Sequence, residues 1–301
     1  MRTSFEAIDK FLIGDNPFIG VDHLSQERWR TRNANLTDQL IVNVIETAFG
    51  HGATGITFSP HPTMLRVLGE VFEHDGESIG LFPVIPAADI YIRIAAQKGV
   101  SGLLAERLGK LGWSGWAKAV AGGGFSLLTS NPSLLLATLV DSEVIPIQNM
   151  SSTRGKLRSV FLHEIVTDML LSFHSKRLLQ DYIAHIRDKF NVRAGFVTRN
   201  FAQFASFIAD AEINMDEVVI MTPFNAMGFQ MNPSKGECEA ALEKLRGGKV
   251  VAMSIMAAGY LNLGRAIDYL KTKRRIDSYA IGVSTVRHAA ETFSQLSANL
   301  V

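Results

Sequence analysis

The chain has 301 residues, 47% of them hydrophobic and 20% charged, with a formal net charge of +1 and a single cysteine, Cys238. That composition makes a large apolar core feasible, and the near-neutral balance without a basic stripe argues against nucleic acid and anionic membrane as partners. One cysteine excludes a disulfide framework or a cysteine-based metal centre. The N-terminus MRTSFEAIDKF does not read as a secretory leader and no apolar run reaches transmembrane length, so the sequence predicts a soluble, cytoplasmic protein.

Eight short apolar segments follow one another along the chain: FLIGDNP (11–17), GITFSP (55–60), LFPVIP (81–86), SVFLHE (159–164), AGFVTRN (194–200), EVVIMTPFN (217–225), VVAMSIMA (250–257) and YAIGVS (279–284). Continuous Val/Ile/Leu runs of this length read as strands buried on both faces. All but the third lead fairly directly into a stretch of helical periodicity. The predicted fold is therefore α/β, a single (β/α)8 TIM barrel over residues 1–301. Such a barrel carries its chemistry at the C-terminal strand ends. That nominates Asp15, Asn16, Ser59, His61, His163, Glu164, Thr198, Arg199, Asn200, Thr222, Asn225, Ser254, Ser284 and Thr285.

In chain order, the first helix is NLTDQLIVNVIETAFGHG, capped by Asn35 or Thr37 and closed by Gly50 and Gly52. The second is HPTMLRVLGEVFEHD, with Pro62 in a permitted first-turn position. Strands 3 and 4 are then separated by about seventy residues, where about a dozen suffice for a plain crossover. Residues 88–124 read as a helical insertion on the catalytic face, a lid anchored by Tyr91, Trp113 and Trp116 or aromatics that pack it to the barrel. GGG (122–124) suits a hinge better than a phosphate loop, lacking a following Lys-Ser/Thr. Residues 131–144 read as the return helix, with Asn131 as N-cap and Pro132 in the first helical position, and VIPIQNMS (144–151) as a non-barrel strand or extended loop. Cys238 falls in a surface helix, and KTKRR (271–275) is a solvated helix end.

Several of these segments in order resemble the aldo-keto reductase barrels. LRSVFLHEI resembles that family's strand ending in a catalytic histidine, here His163, and AGFVTRNF its Gly-Val-Ser-Asn-Phe strand, with Arg199 and Asn200 at the Ser-Asn pair. VVAMSIMAAGYL is similar to the seventh strand, with Ser254 and Gly259 in step, AIGVSTVRHAAETF to the eighth, and LRVLGEVF to the second unit. The resemblance implies the barrel, NAD(P)H as cofactor, and a catalytic set of Asp, Tyr, Lys and His. This chain departs from that set. Thr57 and Pro62 stand at the Asp and Tyr positions, no lysine occurs between Lys10 and Lys98, Met253 replaces the tyrosine that stacks on nicotinamide, and Met221 the strand 6 glutamine. Only His163 remains, which argues against ordinary hydride transfer, and kinship of fold does not carry function by itself.

The residues themselves suggest other chemistry. His163 and Glu164 are consecutive on a strand and point to opposite faces. With His163 toward the axis, its imidazole can exchange a proton with a substrate oxygen near neutral pH, or sit as a core histidine bonded to main chain. Asp15 is a second acid or base, or an Asx-turn before Pro17. His61 and His23, on the loops after strands 2 and 1, with Asp15, Glu164 or Asp168 could make a His-and-carboxylate metal site, without a fixed ligand spacing to support it, or be solvated loop histidines. Arg199 can clamp a carboxylate or phosphate, or pair with Glu164 or Asp168. Asn225 orients a ligand or makes a turn before Gly228. Ser284 and Thr285, with Ser254, sit where barrels hold anions after strands 7 and 8, though Ser and Thr are also ordinary N-caps.

Three functions compete. In the first, a lyase- or isomerase-type enzyme uses His163 and Asp15 on a polar, sugar-like or phosphorylated small molecule held by Arg199, Asn200, Asn225, His61 and Glu164. The second is an NAD(P)H-dependent oxidoreductase whose acid is displaced to His61 or Tyr91. The third is a non-catalytic ligand-binding barrel. A metal requirement would instead indicate a hydrolase or isomerase.

Overall fold

A computed structural model describes residues 5–19, 36–74, 76–87, 131–150 and 154–300. The predicted insertion 88–124, with Tyr91, Trp113, Trp116 and the GGG hinge, lies outside the described residues, as do His23 and Asn35.

The apolar runs form parallel strands that close on themselves. β1 (Phe11–Gly14) pairs with β2 (Gly55–Phe58) on one side and β9 (Ser278–Gly282) on the other. The ring continues through β3 (Ile79–Ile85), the two pieces β4 (Gly155–Leu157) and β5 (Ser159–Leu162), then β6 (Arg193–Val197), β7 (Val218–Pro223) and β8 (Lys249–Met253), which returns to β9. β4 and β5 both pair with β3, so the nine segments make the eight staves of a TIM barrel.

Side chains sort by alternation into two layers. Leu12, Phe82, Phe161, Val197, Val219, Met221, Val251 and Ala280 fill the lumen, while Ile13, Ile56, Leu81, Val160, Phe196, Ile220 and Ile281 face the helices. The lumen rings need small neighbours: a Cβ on Gly195 would lie 2.5 Å from the Phe161 ring, and one on Gly55 2.9 Å from Phe82.

The fourth stave holds the feature that positions the site. Leu81 pairs with Leu157 and Val84 with Phe161, so four residues advance the chain from 157 to 161 where three advance β3. The extra residue is a β-bulge, and it inverts the phase of everything after it. Leu157 packs with the outer layer, yet Phe161, an even number of residues further on, enters the lumen. His163 inherits the inward phase. Without the bulge it would point at the helices.

The outer helices begin as expected. α1 (Asn16–Ile19) is one turn. α2 (Asp38–Gly50) is capped by Thr37, whose Oγ1 accepts the Leu40 amide, and the chain leaves it through Gly52 at φ +109°. α3 (Pro62–Glu73) opens on Pro62.

The return helix differs from its sequence reading. α4 runs Pro132–Met150, capped by Asn131, so residues 144–150 are helical, not a strand or extended loop. The reason is spacing: Val140, Glu143, Val144 and Ile147 are buried at the i, i+3, i+4, i+7 positions of a single helix face. Pro146 is carried within it.

α5 (Glu164–Ser172) and α6 (Lys176–Phe190) both lie between β5 and β6, and the buried Tyr182 of α6 donates its hydroxyl to Val160 O at 2.7 Å. α7 (Phe201–Asp210), α8 (Lys235–Lys244), α9 (Leu263–Lys271) and α10 (Val286–Asn299) complete the outer layer. No described helix is long and apolar enough to cross a membrane.

Candidate functional site

Two histidines end the staves on either side of β3 in the same way. His61 follows β2 and is the N-cap of α3, its Nδ1 accepting the Thr63 amide at 3.3 Å. His163 follows β5 and is the N-cap of α5, its Nδ1 accepting the Ile165 amide at 3.3 Å. Histidine is not a favoured cap, but its Nδ1 is as well placed as an Asn oxygen to take an orphan amide of the first turn. The consequence is chemical. In a neutral imidazole one nitrogen donates and the other accepts, so a ring whose Nδ1 accepts carries its proton on Nε2. Each histidine therefore presents an N–H at its far edge.

That assignment bears on metal binding. A metal-bound histidine offers a bare nitrogen to the ion and donates its other N–H to an oxygen, whereas here the remaining nitrogen is the protonated one. Among the described residues no three His, Cys, Asp or Glu side chains gather around a point that could hold an ion.

Beside His163 lies a network tying α5 to the end of β6. Arg199 donates from Nε and Nη2 to the two carboxylate oxygens of Glu164 at 2.9 and 2.7 Å, a bidentate pair with both partners partly exposed. One turn along α5, Asp168 accepts the Thr198 hydroxyl at 2.7 Å and the Asn200 side-chain amide at 3.1 Å, while the Asn200 main-chain N–H donates to Thr198 Oγ1. Burial pushes the Asp168 carboxyl above its ordinary range; Thr198 opposes this, and the neighbouring Glu164 charge adds to it. Of the two sequence alternatives for Arg199, the structure has the pair with Glu164. That pair leaves Nη1 with no protein acceptor among the described residues.

Other nominated residues have local duties. Asp15 is buried after β1, its Oδ2 accepting the Ser59 amide of the β2 end at 2.7 Å. Asn225 is fully buried, and both ends of its amide are bound to the Phe229 main chain at 2.8 and 2.9 Å, which makes it the turn residue. Thr285 caps α10 by accepting the His288 amide, and Ser284 is half-buried just before it. Ser254 is left-handed at φ +52°, followed by Ala257 (+49°), Ala258 (+57°) and Gly259 (+91°). Three non-glycine residues in that region make the loop after β8 the most strained at the rim, and such strain gathers at ligand-contacting loops.

Two participants have a larger part than the sequence suggested, Asp168 having been named only as a possible metal ligand or partner of Arg199 and Glu143 not at all. Asp168 is the hub of the rim network, and its signal was there: it stands four residues after Glu164, on the same helix face. Glu143 lies on the buried face of α4, its Oε2 accepting the Ala87 amide at 3.2 Å just beyond β3. A carboxylate among Val140, Val144 and Ile147 was the clue.

No family model matches this chain and no curated relative matches it. Among solved structures, two described as aldo-keto reductases from Pseudomonas aeruginosa superpose with TM-scores of 0.58 and 0.57 at 11% identity, covering 100% of this chain and 93% of theirs. The tryptophan synthase α-subunit of Pyrococcus furiosus also aligns, at TM-score 0.42 and 12% identity over 99% of both chains. At these identities the likeness is one of fold: an aldo-keto-reductase-like barrel, strongly diverged in sequence.

Proposed function

We propose that this chain is a small-molecule enzyme in which His163 donates a hydrogen bond, and then a proton, to an oxygen of a polar, anionic substrate of sugar-like or phosphorylated type. The observation that carries the reading is the bulge between β4 and β5, which turns His163 toward the barrel axis. Its cap bond to Ile165 leaves Nε2 as the proton-bearing nitrogen. A fixed N–H aimed at an oxygen where charge develops stabilises the transition state without reorganisation. This favours lyase- or isomerase-type chemistry through an oxyanion. Arg199, oriented by Glu164, is the anion contact next to it. Asp15 and Asn225 are supports for the rim in this reading, and Asn200 acts through Asp168.

An NAD(P)H-dependent oxidoreductase is the second reading, favoured by the shared barrel and by the strained loop at Ser254–Gly259. The nicotinamide end does not fit it: Thr198 and Asn200 are already committed to Asp168, and Met253 lines the lumen where the family stacks a tyrosine.

The test is turnover of a panel of sugar phosphates and hydroxy acids, followed by proton NMR, for the wild type and His163→Asn. Asparagine keeps the α5 cap and removes the Nε2 donor. The reading expects a substrate whose turnover falls by about 100-fold or more in the variant. Equal turnover by the two proteins would overturn it.

A further inference from the structure

Asn200 stands where a helix cap belongs and does not cap. It is the N-cap residue of α7, an ordinary place for asparagine, yet its side chain makes no bond to the first-turn amides. It reaches back to α5 instead, where Nδ2 donates to Asp168 Oδ2 at 3.1 Å. With the Thr198 hydroxyl on Oδ1, Asp168 holds the residues on either side of Arg199, while Glu164, one turn earlier on α5, holds the guanidinium. Glu164 already balances the charge of Arg199. An ionised Asp168 therefore leaves this group one negative charge in excess, and a protonated Asp168 leaves it neutral.

The charges that act on Asp168 are Glu164 on its own helix, which opposes ionisation, and Arg199 at the end of β6, which favours it. His163 stands at the start of the same helix. α6 and α7 also pack on α5, with Lys176 donating to Asp210 O and His174 against the Phe207 ring. A proton on Asp168 has one place to go. Thr198 Oγ1 accepts the Asn200 main-chain N–H and spends its own proton on Oδ1, so the acidic proton belongs on Oδ2. There it confronts Asn200 Nδ2. Two donors in contact are relieved when the Asn200 amide turns over and offers Oδ1.

We propose that Asp168 sets the anion affinity of Arg199: an anionic ligand group binds the guanidinium together with a proton that Asp168 takes up, and the Asn200 amide turns over with it. The inference takes from the reading above only the anion contact at Arg199, and adds the proton that accompanies the charge of the substrate. The sign follows from repulsion between like charges. Affinity rises as pH falls through the folded value of Asp168, which burial places above the ordinary 3.8, and is lost as pH rises through it.

The test titrates the ¹⁵N-labelled full chain with sulfate, a dianion throughout this pH range, at fixed ionic strength. NMR follows the Arg199 Nε–H and the Asn200 side-chain amide in the wild type, Asp168→Asn, Thr198→Val and Arg199→Gln, with urea unfolding as the control for folding. Asp168→Asn keeps an acceptor for Thr198 and makes the neutral form permanent. It should bind sulfate about tenfold more tightly than the wild type at about pH 8, and the ratio should approach one at about pH 4.5. That ratio cancels any contribution from the histidines. The wild-type Asn200 amide signals should move over the same pH interval. Thr198→Val weakens the network but keeps the carboxylate, so it should gain nothing; an equal gain there would mean that loosening, not charge, is responsible, and would overturn the proposal. Equal affinity of wild type and Asp168→Asn at about pH 8, or a wild type indifferent to pH, would also overturn it and leave the anion contact standing. If Arg199→Gln binds sulfate as the wild type does, or the wild type binds none at about pH 4.5, the anion contact falls and the role of Asp168 with it.

Discussion

At the N-terminal end of the barrel Arg154 is buried and donates to structural acceptors: both Glu46 oxygens at 2.7 and 2.9 Å, Val71 O, and Glu77 O at 3.4 Å. At the C-terminal end Arg199 makes the same bidentate pair, with Glu164, but stays about a third exposed, beside a histidine whose phase was set by a bulge. The two arginines share a chemistry and differ in what surrounds it. At the floor, burial and main-chain acceptors consume the guanidinium, so the charge holds α2, α3 and β4 together. At the rim, Glu164 fixes the guanidinium while part of it remains available. Asp9 and Asp168 repeat the contrast. Asp9 sits in the floor, its Oδ2 3.3 Å from Arg158 Nε but without a hydrogen bond to it, and burial pushes its carboxyl up to about 6. Asp168 is hydrogen-bonded on both oxygens.

The contrast breaks first at Arg154. Arg154→Leu should cost about 3–5 kcal/mol in urea unfolding, since it strands a partly buried Glu46 and unpairs main-chain carbonyls. Burial alone would raise the Glu46 carboxyl, but Arg154 outweighs it and holds the group below its ordinary range. The stability this lends is present at neutral pH and lost as pH falls through the folded value, and the variant should lose that acid dependence. The corresponding Arg199→Leu should cost much less.

Asp9 gives the next effect, of opposite sign. Its folded value near 6 lies above the ordinary 3.8, so the folded state holds the proton more tightly. Its contribution is full below about pH 4 and fades as pH rises through 6, by at most about 3 kcal/mol. Asp9→Asn should flatten the stability profile between pH 4 and 7.

Smaller again, Asp168→Asn sets one amide against the Asn200 amide and should cost about 1–2 kcal/mol. The smallest is His163→Asn, which exchanges one cap for another and should shift stability by about 0.5 kcal/mol or less, while removing function. A floor residue behaves the other way round.

The barrel was legible because its strands are buried on both faces and read as unbroken apolar runs, a signal that survives divergence. Residues 144–150 were not. Val144, Ile145 and Ile147 around Pro146 suit a strand locally, and the helical spacing emerges only when Val140 and Glu143 are included. The inward phase of His163 was reached through the family resemblance, whereas its physical cause, one extra residue between Leu157 and Phe161, leaves no mark in composition or periodicity. The shared capping role of His61 and His163 was hidden because histidine is not an expected N-cap. Asp15 and Asn225 were visible as strand-end polar residues, but only coordinates show their side chains held by the Ser59 and Phe229 main chain.

The central claim is that this rim has given up nicotinamide and kept His163 for donor chemistry on an anionic substrate. Calorimetric titration of the full chain with NADPH and NADH tests it most directly. The account predicts no saturable binding at millimolar cofactor, with Thr198 and Asn200 committed to Asp168. Saturable micromolar binding would contradict it and restore the oxidoreductase reading.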